Sequence, residues 1–199
     1  IKEIIKFLKF LKSVFQIKLM NLILETPRLL LRPFEKSDAE ELFDMDKNPN
    51  VHQYLWQNPV KDIEEVYAYI EMVQKQYEER GIGRFSTILK ETGELIGWTG
   101  IKFVNDHVEN RNTNFYDYGY RLNEKFWNKG YASEATKAWF KHGFDVMKIE
   151  TMHAYTHAEN GASNHILQKH GMQFMEDYLD KDGIKWKWWQ LENSKYNTK

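Results

Sequence analysis

The sequence predicts a single α/β (α+β) domain, a mixed sheet covered by helices, on three observations. The elements read in the order strand, two helices, three strands, helix, strand, helix, two strands. The turn segments "ETG" and "DKDG" join neighbouring strands as hairpins. Apolar residues make up 42% of the 199 residues, enough for one core, and the charged 29% supplies a solvated surface.

Each element has a local reason. Residues 22–34, "LILETPRLLLRPF", read as an opening strand with a break, its edges fixed by Pro27 and Pro33. The next helix is expected to start at a Ser37 or Asp38 N-cap, with Glu40 and Glu41 in its first turn. "NPNVHQYLW" is a loop, and residues 61–80 form a second helix that ends at Gly81 as C-cap. Strands follow at 83–90 and 93–104, then a polar loop at 105–113 and a strand at 114–122. Residues 132–147 read as a helix, with Ala135, Ala138, Trp139 and Phe144 along one face. A strand at 148–156, a short helix at 160–171 and a hairpin of 172–179 with 184–191 complete the order. The alternating aromatics of "KWKWW" read as sheet packing rather than a stacking platform.

Composition removes several classes of function. The chain has no cysteine, which excludes disulfides, thiolate metal sites and an acyl-cysteine intermediate. It also fits a reducing, cytoplasmic setting. A net charge of −1 gives no broad footprint for nucleic acid. Seven histidines without repeated ligand spacing point to no metal.

Residues 1–20 carry five lysines and one glutamate, a net +4 that leaves −5 for the rest. They read as a basic amphipathic extension, suited to a membrane surface or a partner. Lysines every three or four residues exclude a transmembrane span, and a signal peptide would need a longer uncharged core. Met20 is expected to be the natural start, directly before the first strand. The organisation is thus an extension at 1–20, one domain at 21–192 and a polar tail at 193–199.

The stretch "EKFWNKGYASEA" raises a question of chemistry. Gly130, just before a helix, permits close backbone approach or a conformation closed to other residues. The first-turn N–H groups then point outward without intrahelical partners, ready for an anion such as a phosphate. A tight turn with a glycine near an N-cap is the other reading.

Six stretches, "LETPRLLLRPF", "NPNVHQYL", "GELIGWTGI", "YGYRL", "FWNKGYASEA" and "ENGASNHILQKHGM", follow one another in an order that resembles the GNAT superfamily of acyl-CoA-dependent N-acetyltransferases. The likeness covers about residues 22–190, and the nearest branch is that of the ribosomal-protein N-terminal acetyltransferases (RimJ/RimL-like). It implies a mixed, mostly antiparallel central sheet split by a V-shaped cofactor cleft, with helices on both faces. It also implies acetyl-CoA as cosubstrate and an amine-bearing acceptor; a homodimer is one assembly open to such a chain.

The resemblance implies roles for particular residues. Asn128, Lys129, Gly130, Tyr131 and Ala132 would cradle the pyrophosphate with backbone N–H groups. The family's Gln or Arg at the first position of this turn is Trp127 here, while Gly130 and Ala132 fit. Main-chain groups of Tyr120, Arg121 and Leu122 would bind the pantetheine arm and the developing oxyanion. Asn160 would contact the pantetheine, and Ser163 would protonate the leaving thiolate. Read from the residues alone, Asn160 and Ser163 also suit a helix cap. Many relatives carry a Tyr seven residues after that Asn, where this chain has Leu167.

The implied reaction is direct attack of a neutral amine in a ternary complex. An α-amine, with a pKa of about 7.7 to 8, costs only about 1 kcal/mol to deprotonate near neutrality, whereas a lysine costs roughly 4 to 5. Candidate bases are Asp117, Glu109, His107, His153, His157 and Glu159, with Asp117 and His153 ranked first. Asp44, Asp46, Asp62, Glu64 and Glu65 would favour a cationic acceptor, although acidic helix starts are ordinary. A protein or peptide N-terminus is the leading acceptor. Polyamines, aminoglycosides and amino-acid derivatives are the small-molecule alternatives. A catalytically silent CoA-binding module and an interaction protein led by the basic extension belong to other classes.

Overall fold

The computed structural model describes residues 22–196. The basic extension at 1–20 and residues 197–199 of the expected tail lie outside the described residues. The chain opens with strands β1 (Leu24–Glu25) and β2 (Leu29–Pro33), separated by the expected break. Thr26 makes that break a tight turn: its N–H donates to the Leu29 carbonyl at 2.9 Å, and its hydroxyl accepts from the Leu29 N–H at 2.8 Å.

The first helix departs from its expected start. A 3₁₀ turn (Lys36–Asp38) precedes helix α1 (Ala39–Asp46), and neither Ser37 nor Asp38 caps α1 with its side chain. Asp38 is drawn inward instead. Its buried carboxylate accepts from Arg32 at 2.6 and 2.8 Å, from the Glu35 N–H at 2.9 Å and from the Ser86 hydroxyl at 2.6 Å. Four donors outcompete the helix end for one buried charge. Helix α2 (Ile63–Arg80) follows local rules: Asp62 accepts from the Glu64 N–H at 3.1 Å, and Gly81 closes the helix with φ +72°.

Strands β3 (Arg84–Leu89), β4 (Leu95–Val104) and β5 (Phe115–Leu122) follow, then helix α3 (Tyr131–Lys141). The sequence reads one helix to residue 147. The chain continues as a wider π turn (His142–Val146), with the Met147 N–H donating to the His142 carbonyl at 3.0 Å. Strand β6 (Thr151–His157), helix α4 (Gly161–Lys169), strands β7 (Gln173–Leu179) and β8 (Lys185–Glu192) and the short helix α5 (Asn193–Tyr196) complete the fold. Tyr196, beyond the expected domain end, packs its ring 4.8 Å from that of Phe144.

The strands form one sheet in the order β1-β2-β3-β4-β5-β6-β8-β7, antiparallel throughout except for β5 against β6. Adjacent residues on a strand face opposite sides, so β5 reports which helices cover which face. Tyr118 meets Thr136 of α3, while Arg121 reaches Asp46 of α1. Helices therefore cover both faces. Strand β3, covered on both, is buried at every position and so reads as a continuous run. The largest core pair is Phe85 and Trp139, both fully buried and edge to face at 5.0 Å.

One irregularity shapes the molecule. Strands β5 and β6 pair in parallel only at Tyr116 with Met152 and Asp117 with His153. Beyond that point β5 stays paired to β4 as far as Leu122, and β6 stays paired to β8 as far as His157. The two strands diverge as a V, leaving the facing edge of residues 118–122 without a strand partner in the sheet.

Candidate active site

A cleft of about 470 Å³ opens beside the parted end of β5. Its walls come from three segments distant in sequence. Tyr120, Arg121 and Leu122 supply one wall, and Asn128, Gly130, Tyr131 and Ala132 supply the second. Asn160 and Ser163, at the start of α4, supply the third, and the loop residues Asn50, Val51 and Tyr54 close the mouth. Asp117 and Lys129 do not line the cleft.

The turn before α3 has the backbone shape the sequence suggests. Asn128 has φ +58° and Gly130 φ +82°, while Lys129 between them is not left-handed. Such alternation turns successive N–H groups toward one concavity suited to an anion. No side chain caps α3, in contrast to α2 and α4, so its first N–H groups remain available to a ligand. A coenzyme A pyrophosphate fits this end. At Gly130 a Cβ would come 3.4 Å from Arg28 Nη2. Trp127, the departure from the family pattern, donates its Nε1–H to the Leu122 carbonyl at 2.7 Å and thereby ties the turn to β5. The Lys129 ammonium lies over the Phe126 ring, 5.4 Å from its centroid, and its carbonyl accepts from Arg28 at 3.0 Å.

At the third wall Asn160 both caps α4 and lines the cleft, its side chain accepting from the Ser163 N–H at 3.1 Å. The Tyr120 hydroxyl donates to Ser163 Oγ at 3.1 Å. With that oxygen accepting from Tyr120, Ser163 keeps its own proton free to donate into the cleft. Burial pushes the Tyr120 hydroxyl up to about 12, against the Ser163 hydrogen bond that lowers it. Leu167, where relatives carry an acidic Tyr, is buried in the core.

The opposite face of β5 carries a charged lattice. Asp117 is 2% exposed and ion-paired with the buried Arg84 guanidinium, which also donates to the Asp117 carbonyl at 2.9 Å. Lys102 Nζ lies 3.9 Å from the same carboxylate, and burial holds its ammonium below the usual range, with Asp117 opposing. Four residues along β5, Arg121 pairs with Asp46 at 2.7 Å. The two guanidinium groups contact the same Trp98 ring, at 5.3 and 5.4 Å from its centroid. His52 lies beside this lattice, 6% exposed, its Nε2 3.8 Å from Asp46 and without a hydrogen-bond partner among the described residues. Burial and the Arg121 charge lower its pKa, Asp46 opposing.

The remaining base candidates are scattered. His153 stands at the vertex of the V, its ring 5.0 Å from Trp188 and 5.5 Å from Phe115, with Nδ1 buried and unpartnered among the described residues. Burial lowers its pKa, against the pull of Asp117. Glu109 accepts from the Tyr178 hydroxyl at 2.6 Å, and His107 pairs with Asp106 at 2.7 Å. His107 and Glu109 line a second, wider cleft of about 760 Å³ with Trp56, Glu176, Asp180 and Trp186. His157 accepts from the Glu159 N–H at 3.2 Å, and its ring lies tilted 5.6 Å from that of Tyr54. Of the acidic side chains weighed for a cationic acceptor, only Asp46, the last residue of α1, joins the lattice. Arg84, Trp98 and His52 carried no signal in the sequence, because nothing local marks an arginine whose partner lies 33 residues away.

The chain matches the acetyltransferase (GNAT) domain family over residues 28–173. It is 32% identical over 159 residues to the uncharacterized N-acetyltransferase p20 of Bacillus licheniformis, across 80% of this chain and 85% of that protein. It is 25% identical over 141 residues to spermidine N(1)-acetyltransferase of Escherichia coli (strain K12), across 71% of this chain and 70% of that enzyme. The fold also resembles that of RimL, the ribosomal L7/L12 alpha-N-protein acetyltransferase in complex with coenzyme A. That likeness has a TM-score of 0.70 at 19% identity, over 86% of this chain and 98% of that one. With its split sheet and the domain match across most of its length, this chain belongs to the GNAT family of N-acetyltransferases.

Proposed function

We propose that the chain transfers the acetyl group of acetyl-CoA to the α-amine of a protein or peptide N-terminus, by direct attack in a ternary complex. The observation that carries this reading is the divergence of β5 from β6 directly beyond Asp117 and His153. It leaves main-chain groups of residues 120–122 facing a cleft whose far end is the anion-binding turn. The cosubstrate supplies an activated thioester, and a cytoplasmic setting accompanies its use.

The residues divide the remaining work. Backbone N–H groups of residues 120–122 stabilise the oxyanion that develops as the amine attacks. Ser163 gives its proton to the departing sulfur, and Tyr120 stands behind it. His153, at the vertex of the V and outside the cleft lining, takes the proton released by the amine through intervening solvent. Asp117 is committed to Arg84, and Asp46 to Arg121. A neutral histidine of lowered pKa is a weak base, sufficient for an α-amine near 7.7 to 8 and poorly matched to a lysine or polyamine near 10.4.

A cationic small amine is the second reading. The wide cleft supports it, with the carboxylates of Glu109, Glu176 and Asp180 set among the indoles of Trp56 and Trp186. The relationship to a spermidine acetyltransferase points the same way.

The test titrates acetyl-CoA calorimetrically, then follows release of the CoA thiol with peptides of free N-terminus, their N-acetylated forms and spermidine. One-site binding with turnover on free N-termini alone supports the first reading. Turnover on spermidine alone replaces it with the second. Binding without turnover on any amine reduces the chain to a cofactor-binding module.

A further inference from the structure

We propose that Arg28 is a positioning residue of the cofactor site, holding the 128–130 turn in its anion-binding shape through the carbonyl of Lys129. The proposal rests on the reading of that turn as the pyrophosphate site. Arg28 lies in the turn between β1 and β2, about a hundred residues from the segment it grips. Its Nη1 donates to the Lys129 carbonyl at 3.0 Å, and its Nε pairs with Glu134 at 2.6 Å. The guanidinium lies over the Tyr131 ring at 4.5 Å, and Nη2 is 3.4 Å from where a Cβ on Gly130 would stand. One planar group thus bonds the turn at its centre, flanks its last residue and meets the helix that follows.

Two features of the turn call for such a clamp. Asn128 holds a left-handed φ of +58°, which asparagine adopts more readily than most side chains but not by default, and the Arg28 bond to the next carbonyl favours that shape. Glu134 also places a carboxylate in the first turn of a helix whose end must accept an anion. Burial pushes that carboxyl up. The Thr26 hydroxyl, the Arg28 N–H and the Arg28 guanidinium outweigh burial and keep it ionised, at 2.5, 2.9 and 2.6 Å. The same arginine that fixes the Lys129 carbonyl therefore neutralises the charge that would repel a phosphate. The guanidinium fork makes both contacts at once, which a lysine ammonium cannot reproduce.

The experiment uses the full chain as wild type, Arg28→Gln and Arg28→Lys. Calorimetry gives the Kd of acetyl-CoA, and steady-state kinetics compares acetyl-CoA with acetyl-pantetheine, the same thioester without the pyrophosphate. Loss of the clamp is expected to raise the Kd of acetyl-CoA roughly tenfold in both variants. Saturated kcat and kcat/KM for acetyl-pantetheine should stay at the wild-type level. An unchanged Kd in Arg28→Gln overturns the proposal, as does full recovery in Arg28→Lys, which would make the residue a point charge. Equal losses with both thioesters overturn it as well, by revealing general damage. A wild-type chain that binds no acetyl-CoA overturns the cofactor reading, and this proposal falls with it.

Discussion

Asp117 and His153 face each other as the last residue pair joining β5 to β6, and beyond them the sheet divides. One is a buried carboxylate committed to Arg84; the other has a buried ring nitrogen with no partner among the described residues. The two groups ranked together as bases from the sequence are therefore unlike in the structure. The carboxylate is tied to Arg84 at the vertex, and burial favours the neutral form of the imidazole.

Replacing Asp117 with Asn should act first on stability. It leaves Arg84, whose side chain is 8% exposed, with an uncompensated charge. Breaking such a buried pair costs about 3 to 5 kcal/mol. In a domain of this size that lowers Tm by roughly 10 °C. Thermal denaturation of D117N checks it. An unchanged Tm together with abolished turnover would make Asp117 the base after all.

Ser163→Ala should lower kcat roughly 100-fold while leaving acetyl-CoA affinity near wild type, as expected of a proton donor. Tyr120→Phe should cost less, since Ser163 keeps its own hydroxyl. The double variant should be no worse than Ser163→Ala, because Tyr120 acts through Ser163. Additive losses in a double-mutant cycle would show two independent roles.

Much of the frame was legible because it is written locally. Gly81 ends α2, Gly93 turns the β3–β4 hairpin, and Gly130 bends the turn before α3, each by a positive φ that a side chain resists. The order of motifs singled out Asn160, Ser163 and residues 120–122, which line one cleft, and also Asp117 and Lys129, which do not. Pairings between distant side chains were not legible. Asp38 looked like a helix cap, yet Ser86, 48 residues away, and Arg32 draw it into the interior. Asp46 looked like an ordinary helix carboxylate, yet it anchors Arg121, 75 residues on. Periodicity records which face a residue takes, but not which charge awaits it there.

Stability should fall on mild acidification. His52 and His142 are buried, and His153 is partly so; burial lowers the pKa of all three. In the unfolded chain they titrate near 6.5. Because each folded pKa lies below its unfolded value, the unfolded state binds protons first as pH drops. Their contribution is thus fully present above about pH 6.5 and is lost as pH falls through the folded values. Urea midpoints at pH 7.5 and 5.5 should differ, and His142→Gln should narrow the gap. Equal wild-type midpoints would rule this out.

Gly97 and Gly130 should separate folding from binding. Both have positive φ, +140° and +82°, but their surroundings differ. A Cβ at Gly97 would lie 2.2 Å from the Arg121 carbonyl oxygen and 2.8 Å from the Leu122 Cα, main-chain atoms that cannot turn aside. Gly97→Ala must therefore push β4 from β5, at a cost of about 3 kcal/mol or more, and Tm should drop sharply. At Gly130 the nearest atom is the tip of the Arg28 side chain, 3.4 Å away, which can move. Gly130→Val should cost only the left-handed backbone, about 1 to 2 kcal/mol, while its side chain enters the anion's approach. Its Tm should fall by a few degrees and its acetyl-CoA affinity far more. A Gly130→Val chain that binds acetyl-CoA like wild type would move the pyrophosphate away from this turn. The assignment of residues 128–132 would then have to be abandoned.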